Sequence, residues 1–193
     1  MNLPGNIYER LFDSASTVWQ QAQTSSMQRF LAEYTLHDSE WLGLQAELYG
    51  EAVALFDWDL VWANWEAQRI DIPRIVFPGG SIGWERPAYL AILFTRLYYA
   101  VSARKKRKYK DDHYSVLAGA ESRQVSAEQR EKFLGLMLDV LGEDFAEFAL
   151  DESLCCTVVE GISQDSIALY HAEPVKFLCL DKNGRIVPIP GID

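Results

Sequence analysis

Histidine, cysteine and methionine are scarce in this chain, three of each among 193 residues. An odd, low cysteine count excludes a disulfide framework. Cys155 and Cys156 are neighbours in sequence, so an ordinary bridge between them is strained. No C-x-x-C pair occurs, which excludes a zinc ribbon. The thiols are expected reduced and buried in strands. Long hydrophobic runs are missing as well. The most apolar stretch, Tyr89 to Phe94, is far below the ~20 residues that span a bilayer, and Arg96 interrupts its continuation. The N-terminal residues Met1 to Asn6 lack the basic and apolar regions of a secretory signal. A cytoplasmic protein without a transmembrane segment is expected. Internal repeats and low-complexity tracts are absent.

Basic residues are outnumbered, 18 Lys+Arg against 28 Asp+Glu, for a net charge of -10. Such a chain repels polyanions on average, which disfavours broad nucleic-acid binding. The deficit is uneven. Arg104, Lys105, Lys106, Arg107, Lys108 and Lys110 fall within seven residues, leaving 12 basic against 28 acidic elsewhere. A strongly positive segment is set in a strongly negative body. The 49% hydrophobic and 24% charged content is that of an ordinary globular protein able to bury a core.

Periodicity then suggests the elements. Asn6 can cap a helix from Ile7, with Ile7, Leu11 and Val18 near one stripe. A second helix is expected from Ser26 to about Tyr34, with Met27, Phe30 and Leu31 inward. Leu42, Leu44, Ala46 and Leu48 alternate with polar residues, and Ala52, Ala54, Phe56, Trp58 and Leu60 repeat the pattern after a turn. Trp41 to Leu60 therefore reads as a β-hairpin. Asp71 to Phe77 suits a short strand that Pro73 pushes to an edge.

Leu90, Leu93, Phe94, Leu97 and Val101 have helical spacing after Pro87, so 88–103 reads as a helix, with a strand the alternative. Polar 111–125 reads as a loop and the best candidate boundary of an otherwise single domain. Ser126 and Gln129 fit a capping box before the amphipathic stretch Phe133 to Leu141. Cys155–Val159, Ile167–His171, Val175–Leu180 and Arg185–Ile189 read as an antiparallel meander, with Asn183-Gly184 as a hairpin turn. The expected fold is α+β: N-terminal helices and a β-hairpin, central helices, and a C-terminal antiparallel meander.

Motifs for chemistry are few. Gly79-Gly80-Ser81-Ile82-Gly83 matches G-x-S-x-G, in which glycines let a sharp turn expose a serine. A serine hydrolase would pair Ser81 with His171 and Asp139 or Asp165. Pro78 disrupts the preceding strand, however, and the βαβ pattern of that fold is missing. Three fixed positions at ~7% each produce such a match by chance about once in fifteen chains. The same loop lacks the lysine of a phosphate-binding P-loop. His37-Asp38 and Asp111-Asp112-His113 are the tight His/Asp groupings, and local turn hydrogen bonds explain the first of them.

Two features suggest binding instead. The basic run Arg104 to Lys110 can dock on an anionic surface, nucleic acid or acidic protein, or pair with the chain's own carboxylates. Trp62 and Trp65, with Trp58 and Trp84, form an aromatic group of the kind found in core or in a binding hot spot. No catalytic constellation passes a spacing test, and no cofactor or metal is implied. The sequence thus favours a non-catalytic acidic protein-binding module, of regulatory or toxin-neutralising type, whose charge steers it to a basic partner. The alternatives are a hydrolase using Ser81 and anionic-surface docking through 104–110.

Overall fold

A computed structural model describes residues 5–47, 50–58, 74–76, 82–84, 88–103, 116–142, 153–162, 165–181 and 183–193. Of these residues 48% are strand and 22% are α-helix. The molecule is mostly β, built on two antiparallel sheets, and the α+β expectation with central helices is overturned.

Helix α1 spans Gly5–Phe12, so Asn6 lies inside it rather than capping it. A 3₁₀ turn at Thr17–Gln21 buries Val18 and Trp19, and the indole of Trp19 donates to Leu11 O at 3.2 Å. Strand β1 is Gln23–Ser25. Helix α2, Met27–Glu33, starts where Ser26 Oγ accepts from Arg29 N, and it buries Met27 and Phe30 as its spacing implied.

The expected hairpin is present as β2, Glu40–Ala46, and β3, Ala52–Trp58, in antiparallel register with Gln45 opposite Val53. Strands β4, Arg74–Val76, and β5, Ile82–Trp84, form a small separate pair.

The stretch expected to be a helix forms two strands, β6 at Ala88–Phe94 and β7 at Leu97–Ala103. Strand β6 lies between β3 and β11 (Val175–Leu180), and Tyr89 to Phe94 are buried on both sheet faces. A strand covered on both faces has no polar alternation, so its apolar run mimics a buried helix. The polar segment expected to be a loop contains β8, Leu117–Gln124, an edge strand with one face largely in solvent. Helix α3, Ala127–Leu141, opens with the expected capping box between Ser126 and Gln129.

The C-terminal strands are β9 (Cys155–Gly161), β10 (Ser166–His171), β11 and β12 (Ile186–Val187). They do not form one meander. Strands β9 and β10 pair, and β11 and β12 pair, but the chain changes sheets between β10 and β11. The larger sheet runs β1-β11-β6-β3-β2 with β12 beside β11. The smaller runs β7-β10-β9-β8. A second crossing, at Thr95 and Arg96, joins β6 to β7, and the two crossings are tied by Ala172 N–H donating to Arg96 O at 3.0 Å.

The larger sheet is covered on both sides. One face carries Val53, Leu55, Leu93 and Leu178 in a cluster with Leu11 and Trp19. The other carries Phe56, Trp58, Ile92, Phe94 and Phe177 in a cluster with Phe30 and Tyr34 of α2 and with Leu117, Val159 and Leu169 of the smaller sheet. Phe30 stacks on Phe177 at 4.6 Å between centroids. On the outer face of the smaller sheet, Phe133 of α3 stacks on Tyr170 at 4.7 Å. The C-terminal residues are held by Gln23, whose amide accepts from Ile189 N at 2.6 Å and donates to Ile189 O at 2.9 Å.

Candidate functional site

Of the residues of the supposed hydrolase triad, Asp139 lies exposed on α3, whereas His171 is enclosed by the core. It ends β10, is fully buried, and lies 4.7 Å from the Phe94 ring. Its Nδ1 is 3.0 Å from Ala172 O, and its Nε2 is 2.8 Å from Thr157 Oγ1. A carbonyl only accepts, so Nδ1 carries the proton and Nε2 accepts from the Thr157 hydroxyl. That hydroxyl has one proton, so Ser122 Oγ, 2.9 Å away, donates to it. Burial pushes the imidazole down from 6.5 to about 4. This is a neutral ring whose two nitrogens are satisfied within the core, and neither is left for a serine.

Glu173 lies two residues on, in the crossing between the sheets. Its Oε1 accepts from Met27 N, the first amide of α2, at 2.9 Å, and its buried Oε2 has no hydrogen-bond partner among the described residues. Burial raises the carboxyl to about 7, against the opposing hydrogen bond from Met27.

The three cysteines are free and buried in β9 and β11, as the sequence suggested. Burial, reinforced by Glu173, pushes Cys155 up to about 11, and burial beside Asp181 pushes Cys179 to about 12. Such thiols have little thiolate and are inert. His37 Nδ1 is 3.2 Å from Asp38 Oδ2, and Asp38 holds a positive φ of 61°, which Asp tolerates in a tight turn. Among the described residues, no group of three or more His, Cys, Asp or Glu could hold a metal ion. None of the described helices is long and apolar enough to cross a membrane.

The binding residues singled out by sequence, Arg104, Lys105, Lys106, Arg107, Lys108 and Lys110 with Trp62 and Trp65, lie outside the described residues. So do Ser81, Asp111, Asp112 and His113. Trp58 is buried in the core, where its indole donates to Thr35 O at 2.8 Å.

Sequence reasoning missed a surface feature. Strand β7 is an edge of the smaller sheet and pairs, among the described residues, with β10 alone. Its sequence, LYYAVSA, carries no charge. From Tyr99 to Ala103 it is exposed, and Tyr99 and Val101 keep 43% and 42% of their surface in solvent. The other edges are better protected. Strand β8 has Glu121, Arg123 and a register shift near Gly119, β1 and β12 are very short, and β2 starts with Glu40 and is bridged there to Val116. The tandem tyrosines followed by Val101 were the available β signal.

Comparison with known protein families, with characterised proteins and with solved structures finds no match.

Proposed function

We propose that this chain is a non-catalytic protein-binding module and that β7 is its docking element, taking up an extended segment of a partner as an additional strand. The carrying observation is an uncharged edge strand exposed from Tyr99 to Ala103, with Tyr99 and Val101 in solvent. An edge of that kind offers unpaired backbone donors and acceptors for strand addition, and flanking side chains supply selectivity. Tyr99 also touches Phe133 of α3 edge-on, with centroids 6.2 Å apart, so a docking strand meets an aromatic border.

The enclosure of His171 weighs against the hydrolase alternative. That reading is ended by a serine-reactive phosphonate that leaves Ser81 unlabelled.

Val101→Lys tests the binding role. A lysine there charges the edge without touching the core. The wild-type protein is expected to retain partners from its native extract that the folded variant loses. Equal recovery by both overturns the reading.

A further inference from the structure

We propose that the strand added to β7 is the β7 of a second copy of this chain, paired antiparallel about a two-fold axis at Val101. This deepens the strand-addition reading above and rests on it. Gly161 N–H donates to Asp165 O at 2.8 Å, which fixes the alternation of hydrogen-bonded and open pairs between β9 and β10. On that alternation Tyr99, Val101 and Ala103 turn their backbone groups to β10, and Ala100 and Ser102 present theirs at the free edge. With the axis at Val101, Ala100 of each copy faces Ser102 of the other, and all of these groups gain partners. A two-fold axis also sets residues near their own copies, so a charged edge repels itself. Neither β7 nor β10 carries a carboxylate, a lysine or an arginine, so the net charge of -10 does not act directly across this edge.

Helix α3 decides where the axis lies. It starts beside the ends of β8 and β9, where Val125 N–H donates to Leu154 O, and at Phe133 it reaches Tyr170 of β10 and Tyr99 of β7. It therefore crosses the strands toward the free edge. Its remainder, Leu134 to Leu141, runs about 12 Å further at ~1.5 Å per residue, which carries it past β7. At about 100° per residue, Leu134 turns to one flank of α3 and packs against the cluster around Phe133, while Lys132, Leu136 and Asp139 share the opposite flank. All three are exposed, Leu136 at 63%. The hand of the strands and of the helix sets this flank over the open part of the sheet, on the side of Val101 and Ala168.

An axis at Val101 places the two α3 helices antiparallel and about 13 Å apart, with Leu136 meeting its own copy above the two Val101 side chains. An axis at Ala100 would force the helices to about 7 Å, inside the roughly 8–10 Å of packed helices, and one at Ser102 would part them by about 20 Å. The charges beside Tyr99 agree. Antiparallel helices that meet at Leu136 set Asp139 of one copy beside Lys132 of the other. Glu128 is held by Lys132 of its own helix at 2.7 Å, and Glu131, about 160° round from Phe133, points away from the sheet.

The test uses the whole chain. Sedimentation equilibrium between about 1 and about 500 µM reads self-association, and amide exchange at Ala100 and Ser102 reads the edge. A small interface of this kind is expected to give a dissociation constant on the order of 10–100 µM, with both amides slowing as concentration rises. Val101→Lys sets two cations face to face and Leu136→Asp two carboxylates. Each should weaken the dimer about tenfold or more while circular dichroism shows the monomer still folded. Lys132→Glu and Asp139→Lys should each weaken it, and the two together should restore it. A monomer at every concentration overturns the second copy as partner. Strand addition then still stands if Val101→Lys loses partners from the native extract, and falls as well if recovery is equal. A dimer with Ala100 and Ser102 unprotected, or one that survives Val101→Lys, places the interface elsewhere and overturns the inference. Protected edge amides without restoration by the paired charge swap overturn the axis at Val101.

Discussion

His171 and Glu173, two residues apart where the chain passes from one sheet to the other, are both held toward their uncharged forms by burial, and their titrations oppose each other. His171 is lowered from 6.5 to about 4, so it contributes stability that is complete above pH 6.5 and lost as pH falls toward 4. Glu173 is raised from 4.5 to about 7, so the stability tied to its neutral form is complete below pH 4.5 and lost as pH rises through 7. Between about pH 4.5 and 6.5 the two slopes have opposite sign. Stability of the wild-type chain is expected to be nearly flat there. Glu173→Gln removes one slope, and urea midpoints should then climb from pH 4.5 to 6.5. A variant profile as flat as the wild type's rules out this account.

Thr157 and His171 should be energetically coupled. Thr157→Val keeps the shape but removes the hydroxyl that donates to Nε2, leaving a buried acceptor unpaired at a cost of about 1–3 kcal/mol. His171→Gln is destabilising by itself. The double variant should lose less than the two single losses combined, by about 1 kcal/mol. Simple additivity in chemical denaturation would show that the 2.8 Å contact is energetically silent.

Helix α3 is fastened chiefly by Phe133. Truncating it to alanine removes the stack on Tyr170, and the expected loss is about 3 kcal/mol. Ser126→Ala disrupts the capping box and should cost about 1 kcal/mol. Both changes are expected to speed amide exchange within α3 before they affect the larger sheet. Uniform acceleration across the molecule would contradict a locally anchored helix.

Val101→Lys, by contrast, is expected to leave thermal stability within about 0.5 kcal/mol of the wild type, since the side chain is already half in solvent. A larger loss would mean that Val101 packs against something essential to the fold.

Much of the fold was legible where a strand or helix has one wet face. The alternation at Leu42–Ala46 and Ala52–Trp58 identified β2 and β3, and the Ser126-x-x-Gln129 spacing located the start of α3. Legibility failed where both faces are dry. Tyr89 to Phe94 is apolar throughout because α1 and the 3₁₀ turn cover one side of the sheet while α2 and the smaller sheet cover the other. Periodicity then has nothing to report. The parting of β10 from β11 was equally hidden, since two strands joined by three residues normally pair. The site followed the same rule. His171 looked like a base from its residue type and chain order, but the threonine that occupies its Nε2 is fourteen residues away and can be found only through strand register. The exposure of β7 depends on which strand ends the sheet, and that is a property of topology.

The order of the larger sheet also bears on how the chain is made. Strands β2, β3 and β6 can pair as soon as they leave the ribosome, but β1 pairs with β11, Gln23 opposite Phe177. At about 5–20 residues per second, β1 waits roughly 8–30 s for its neighbour. During synthesis the nascent protein is therefore a half-built sheet with an uncovered β6 flank, and that interval is when it most needs a chaperone.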